Sequence, residues 1–446
     1  MDADGEGPHA RRSRRRHGEP DAVDTRAPRP PGGVVSHVVV VGGGAIGTSC
    51  AYHLAKRGAR VTLVDGASPG SACSSGNLGW VVPSLCEPLP APGLAWQSLR
   101  WMLRRDSPLF IDPRFAISSP RWLWRFWRRC NARDHHRGLA AMGELGRRAF
   151  AHFDALEADG VSVEMHARGV LFLFESAAAH ASAFAEFDAL AARGLADPVR
   201  LSRADVDELE PGLSAEVIGA VLVRNERHVR PETLCAGLLS RFAALGGQVQ
   251  PEAPVDGVER AGGTIRAVRT PLGAVSADAF VIAAGAWSGV VARRFGFELP
   301  MTAGKGYSIT FEAPCPTPRH PLYLHERRVG LTPFDGAVRV GGTMELSGLN
   351  SRIVDARAAS IGRAAIRCYP ALAGRTGRPA WAGLRPLTPD GLPFIGRAPR
   401  LDNVFVACGH AMLGITLAPV TGSLIADLVT GASTIDLTAF DPARPW

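Results

Sequence analysis

From His37 to Val41 the chain reads His-Val-Val-Val-Val, a β-branched run without polar alternation, which predicts a strand buried on both faces of a parallel sheet. Beyond Gly42-Gly43-Gly44, apolar positions recur at Ile46, Cys50 and Leu54, the spacing of one helical face, until Gly58 stops the helix. Arg60-Val61-Thr62-Leu63-Val64 then predicts a second strand ending at Asp65. The pattern of a strand running into a glycine turn returns at 279–288 and at 403–410, the latter followed by an apolar helix from Gly414 to Thr430. Between these pieces, 138–160 and 177–194 read as amphipathic helices, whereas 169–174, 220–223, 301–312 and 337–346 have β character. The expected fold class is therefore α/β and α+β: a Rossmann-type parallel-sheet domain built from 37–90, 228–300 and 380–440, and a second domain from 91–227 and 301–379 with a mixed or antiparallel sheet flanked by helices.

At 446 residues, 46% hydrophobic and 21% charged, the chain is too apolar for disorder and long enough for two to three domains. Residues 1–36 differ: they are rich in Arg, Gly and Pro with no apolar run of a signal peptide, and are expected to be a disordered tail. No apolar stretch approaches the ~18 residues of a spanning helix, so a cytoplasmic protein is expected, at most peripheral on the inner face of a membrane. The 8 Cys form no short paired pattern, which argues against a zinc ribbon, a CxxC redox pair or a disulfide scaffold.

Net charge is +8, and its location is informative. Residues 100–148 hold twelve Arg against four acids, a surplus equal to that of the whole chain. No nucleic-acid motif accompanies it, so no nucleic-acid partner is expected. Ser119-Pro120 predicts the start of a helix in which Arg121, Arg125, Arg128 and Arg129 fall on one face and Trp122, Leu123, Phe126, Trp127 and Cys130 on the other. Such a helix suits either packing on the second domain or contact with an anionic membrane.

The first strand, glycine turn, helix, second strand and acid form a dinucleotide site in sequence order. Gly42 permits the tight turn, Gly44 a close approach of backbone to pyrophosphate, and Gly47 close packing of helix on strand, while Asp65 suits a ribose hydroxyl. The hydroxyl-rich loop 70–79 and a nucleotide fold reassembled from both ends of the chain favour FAD over NAD.

The chain resembles the D-amino-acid oxidase superfamily of FAD-dependent oxidoreductases, and within it most resembles bacterial D-amino-acid dehydrogenases. The resemblance rests on the first unit, on Ser74-Ser75-Gly76-Asn77, Ala283-Ala284-Gly285-Ala286-Trp287 and Gly304-Lys305-Gly306-Tyr307-Ser308. It extends through Trp381-Ala382-Gly383-Leu384-Arg385-Pro386 and Gly409-His410 onward to Pro419. It implies cofactor contacts from Gly42, Gly44, Ala45, Ile46, Gly47, Asp65, Ser74, Ser75, Asn77, Leu78, Gly79 and Val255. Later in the chain it implies them from Ala284, Gly285, Trp287, Gly383, Gly409, His410, Gly414, Ile415 and Thr416. It also implies a substrate-carboxylate role for Arg385, a second carboxylate bond from the Tyr307 hydroxyl, and a place near the flavin for Lys305, one of only two lysines beside 48 arginines.

Sarcosine oxidases carry a flavin-linking Cys where this chain has Gly383, so noncovalent FAD is expected; glycine oxidases carry an Arg where it has Met412. The implied reaction is oxidative deamination of a small-molecule D-amino acid, with electrons passed to quinone or another acceptor. The alternatives are an oxygen-using oxidase of the glycine/sarcosine type, a D-hydroxyproline dehydrogenase, and a noncatalytic electron-relay subunit.

Overall fold

The computed structural model describes residues 36–94, 109–432 and 435–446; the predicted tail 1–36 lies outside them but for Ser36. Six strands form the first sheet, in the order Gln248–Gln250, Arg60–Val64, His37–Val41, Ala279–Ile282, Val404–Cys408 and Phe394–Arg397. The first five run parallel and the last is antiparallel. His37–Val41 and Ala279–Ile282 are buried along their whole length, which is why their sequences show no alternation.

The two ends of the chain meet on this sheet. The helix Ala45–Lys56 packs against Gly414–Thr430, and the approach is close enough that a Cβ on Gly422 would lie 2.5 Å from Ser49 Oγ. The C-terminal helix is buried along most of its length, in keeping with its apolar sequence.

The larger sheet has nine strands. Its order is Trp381–Leu387, Thr302–Glu312, Ala337–Leu346, Val329–Phe334, Leu322–Leu324, Val170–Phe174, Gly219–Val223 and Pro198–Ser202, with Leu109–Ile111 pairing beside Ala337–Leu346. The helices Ala132–Ala158 and Ala177–Ala191 correspond to the two predicted amphipathic segments. Ala177–Ala191 packs one face of the larger sheet, Ala132–Ala158 packs on the C-terminal helix, and Asp355–Cys368 packs the sheet's other face through Ala358, Ile361 and Ala365, in a cluster with Tyr307 and Val340. One boundary shifts: Trp381–Leu387, grouped by sequence with the nucleotide pieces, is hydrogen-bonded along its length to Thr302–Glu312 in the larger sheet.

Candidate active site

The glycine turn after His37–Val41 is shaped by its lack of side chains. Gly42 has φ +107, and a Cβ there would lie 2.5 Å from the Ala283 carbonyl oxygen; a Cβ on Gly47 would lie 1.7 Å from the Gly42 oxygen. The turn, the helix Ala45–Lys56 and the Ala283–Trp287 segment therefore touch through backbone alone. Gly44 caps the helix without a side-chain bond, the Ala45 N–H donates to Ser74 Oγ at 3.0 Å, and the Asp65 carboxylate accepts from the backbone N–H groups of Gly43 and Ala67. Ile46 is half-buried behind this end of the helix. Val255, buried, lies just past Ala253, whose N–H donates to the Asp65 carbonyl.

The loop 70–79 is clamped onto the larger sheet. Arg339 donates to the carbonyls of Ser75 and Asn77 at 2.9 and 2.8 Å, and Ser308 Oγ donates to the Gly76 carbonyl at 2.8 Å. Leu78 packs over Gly330 and Gly341, while Asn77 Oδ1 accepts from the Gly79 N–H. Gly79 has φ +74 and abuts the Val229 carbonyl. The Trp381 indole fills a slot between Gly76 and Gly383, where a Cβ on either would come within 2.1 Å of the ring.

At the far end, Gly409 has φ +86 and the Ala411 N–H donates to the Pro386 carbonyl, tying this loop to the strand that carries Arg385. The helix Gly414–Thr430 begins without a side-chain cap, and a Cβ on Gly414 would meet nothing within 4 Å. Ile415 is buried, and the Thr416 hydroxyl donates to the Trp80 carbonyl at 2.9 Å. Gly285, with φ +53, opens a short turn ending at Trp287, which is 42% exposed. Neither helix N-terminus is capped by its own N-cap side chain; at Gly414 the backbone is open, whereas at Gly44–Ala45 the Ser74 hydroxyl takes the Ala45 N–H, and the remaining N–H groups and positive dipole ends suit the anionic groups of a dinucleotide such as FAD.

Arg385 stands across from Gly304 on the neighbouring strand. Its guanidinium lies over Gly306, where a Cβ would be 2.2 Å from Nη2, and Nη1 donates to the Thr343 carbonyl at 2.8 Å. Thr343 has φ +63 at a bulge in Ala337–Leu346, so its carbonyl is turned out of the ladder toward Arg385. Burial pulls the Arg385 pKa below its ordinary value, opposed by the nearby Cys73 and Tyr323; burial also pushes the Cys73 thiol up to about 11, against the pull of Arg385.

Tyr307 and Lys305 do not join Arg385. Side chains alternate along a strand, and the face that carries Arg385 also carries Gly304, Gly306 and Ser308. Lys305 and Tyr307 project to the other face, where they meet Glu345: Tyr307 donates to it at 2.7 Å and Lys305 pairs with it at 2.9 Å. Lys305 also donates to Asn350 Oδ1 and the Arg352 carbonyl, so its three donor positions are filled. Burial pushes the Glu345 carboxyl up, but bonds from Tyr307, Lys305 and Ser347 outweigh it and hold it below the usual range. The expected second carboxylate bond from Tyr307 and flavin contact from Lys305 are thus replaced by a buried network behind the sheet.

His410 lies in the loop before the C-terminal helix. It is buried, its Nε2 contacts Thr421 Oγ1 at 3.0 Å, and desolvation lowers its pKa to about 3, so it stays neutral near physiological pH. Tyr323, Thr343 and Glu345 were not singled out by sequence. Glu345 left one signal, as a lone acid within a β-patterned run in a chain whose second lysine also lies in a strand.

Fold and site together define a dinucleotide-binding flavoprotein oxidoreductase. The family described as FAD dependent oxidoreductase matches residues 37–428, and the chain belongs to that family, with FAD as its cofactor. It is similar, at 30% identity over 91% of this chain and 99% of the other, to a D-amino acid dehydrogenase from Rhizobium rhizogenes. The glycine oxidase structure from Geobacillus kaustophilus shares the fold, with TM-score 0.72, 24% identity and coverage of 92% of this chain and 100% of that one. So does the iminodiacetate oxidase structure from Chelativorans sp. BNC1, with TM-score 0.72, 21% identity and coverage of 91% and 98%.

Proposed function

We propose that the chain catalyses oxidative deamination of D-amino acids and passes the electrons to quinone or another carrier rather than directly to oxygen. The observation that carries the reading is the Arg385 guanidinium, held on one side by the Thr343 carbonyl and lying over a strand surface kept bare by Gly306. A planar cation with one edge fixed and the other available binds a carboxylate bidentately and so fixes one face of Cα. The similarity to a D-amino acid dehydrogenase supports the choice of donor and hand.

FAD, held by the turn 42–47, Asp65 and the 70–79 loop, would supply the two-electron acceptor for the hydride lost from Cα; the imine so formed would hydrolyse in water to a 2-oxo acid and ammonia. Residues of the chain prepare that event. Arg385 orients the carboxylate, and burial of the substrate beside the cofactor would favour the neutral amine, so no dedicated base is required. The open N-terminus at Gly414 would present N–H groups and a positive dipole end to an anionic edge of the cofactor. Gly383, in place of a linking Cys, leaves the cofactor noncovalent.

The test is the visible spectrum of the purified protein under argon while D- and L-amino acids are added in turn, with D-proline and hydroxyproline isomers included. Bleaching of the flavin band by D-isomers, with slow reoxidation in air and fast reoxidation by a quinone analogue, is the expected result. Bleaching by L-isomers alone, or by no amino acid, would overturn the reading.

A further inference from the structure

We propose that the outer face of the helix Pro120–Arg129 docks on an anionic lipid bilayer. At about 100° per residue, Trp127, Pro120, Trp124, Arg128 and Arg121 fall within an arc of about 120° on this helix. Trp124 is 52% and Trp127 62% exposed, and Ile117, on the preceding short helix Pro113–Ser118, is 80% exposed. Arg114, Arg121 and Arg128 are exposed as well, and among the described residues none of them pairs with a carboxylate. Arg128 instead stacks over the Trp124 ring at 4.7 Å.

The inner face already has its partners, which is why the outer tryptophans need another explanation. Trp122 is buried and stacks on Phe126, in a cluster with Phe115, Leu346 and Leu387. Arg129 donates to the Pro445 carbonyl and Arg125 lies over Trp446, which fastens the helix to the C-terminal segment. Trp127, grouped by sequence with the inner residues, is turned outward. Among the described residues, Asp134 pairs with Arg129 and Asp112 caps its own short helix.

A surface that combines exposed indoles with unpaired guanidiniums matches the headgroup layer of an anionic bilayer, where indoles sit at the interface and guanidiniums bind phosphate. The position also links the surface to the site. The inner face rests on Leu387 and Met344, and Met344 Sδ lies 3.7 Å from Arg385 Nη1. A bilayer on the outer face would lie one helix thickness from the substrate site, within reach of a membrane-dissolved acceptor. The lipid contact stands whether or not the proposed donor is right.

The test is flotation of the full-length, FAD-loaded protein with vesicles of equal parts phosphatidylglycerol and phosphatidylcholine, against pure phosphatidylcholine. Wild type is expected to float with the anionic vesicles, and its tryptophan fluorescence to be quenched when the lipids are brominated. R121E/R128E should lower the partition coefficient at least about 25-fold, about fivefold for each arginine removed. W124S/W127S should lose most of the quenching. Retained flavin absorbance and circular dichroism show that the variants are folded, and the wild-type measurement needs no variant. Failure of wild type to bind anionic vesicles would overturn the proposal. So would binding that both double variants retain in full, which would assign the contact to Arg11 to Arg16.

Discussion

Replacing Gly306 by Ala tests the Arg385 assignment without touching Arg385. The added Cβ would lie 2.2 Å from Nη2 and 2.4 Å from both Cζ and Nη1, whereas ordinary contact begins near 3.4 Å. The guanidinium must therefore move by about 1.2 Å, the difference between 3.4 and 2.2 Å, and the strained neighbour is the end of a long side chain rather than backbone. Gly306 has no left-handed φ and lies in a paired strand, so the fold should survive with a change of about 1 kcal/mol or less. A displacement of about 1 Å at a positioning group costs about 100-fold in rate, or about 2.7 kcal/mol of barrier. Anaerobic stopped-flow reduction of the flavin gives both the substrate Kd and the limiting rate, with a D-amino acid and its carboxamide compared side by side. The expected result is a loss of about 100-fold in rate over Kd for the acid and much less for the amide, which has no carboxylate to misplace. Equal losses for both, or retention of activity within about twofold for the acid, would refute the carboxylate anchor.

Three further outcomes follow from the same geometry. Asp65→Asn should weaken FAD binding by about tenfold or more, read from recovery of flavin fluorescence on dilution, while leaving turnover at saturating FAD nearly unchanged. Glu226 is fully buried against Ser84, and burial pushes its carboxyl up to about 8 from the ordinary 4.5; the native state keeps a proton the unfolded chain releases, so stability falls as pH rises from about 4.5 to about 8. Glu226→Gln should then match wild type near pH 5 and exceed it by a few kcal/mol at pH 8 in thermal melts, and a gap independent of pH would contradict this. Lys305→Met leaves Glu345 buried without its closest cation and should cost about 3 kcal/mol in chemical unfolding, whereas a slower flavin reduction at unchanged stability would return Lys305 to the cofactor.

The nucleotide half of the fold was legible because its signals are local. The strand His37–Val41, the turn at Gly42, the helix and Asp65 all lie within 29 residues, and each step has its own residue chemistry. The later strands Ala279–Ile282 and Val404–Cys408 could be joined to it because each repeats the same ending, a buried run that breaks at a glycine. The helix Pro120–Arg129 was legible in extent but less so in orientation. Trp127 lies at the edge of the apolar arc, and only the packing of Trp122 and Phe126 on Leu346 and Leu387 decides that it faces outward.

The side of the sheet on which Lys305 and Tyr307 fall is a different kind of information. Alternation within Thr302–Glu312 puts both on one face, but whether Arg385 shares it depends on register with a strand some 80 residues later, and a slip by one residue reverses the answer. The observed pairing of Gly304 with Arg385 sets Arg385 on the face of Gly304 and Gly306. Those two glycines were the available clue: a strand that alternates glycine with Lys and Tyr leaves one face bare, and the Arg385 guanidinium lies over it. The filled face does a different task. By pairing with Glu345, Lys305 and Tyr307 hold the segment next to the Thr343 bulge, whose outward carbonyl fixes one edge of Arg385. The motif residues thus act on Arg385 through the sheet, and this is why the Gly306 and Lys305 substitutions should separate, one in substrate handling and the other in stability.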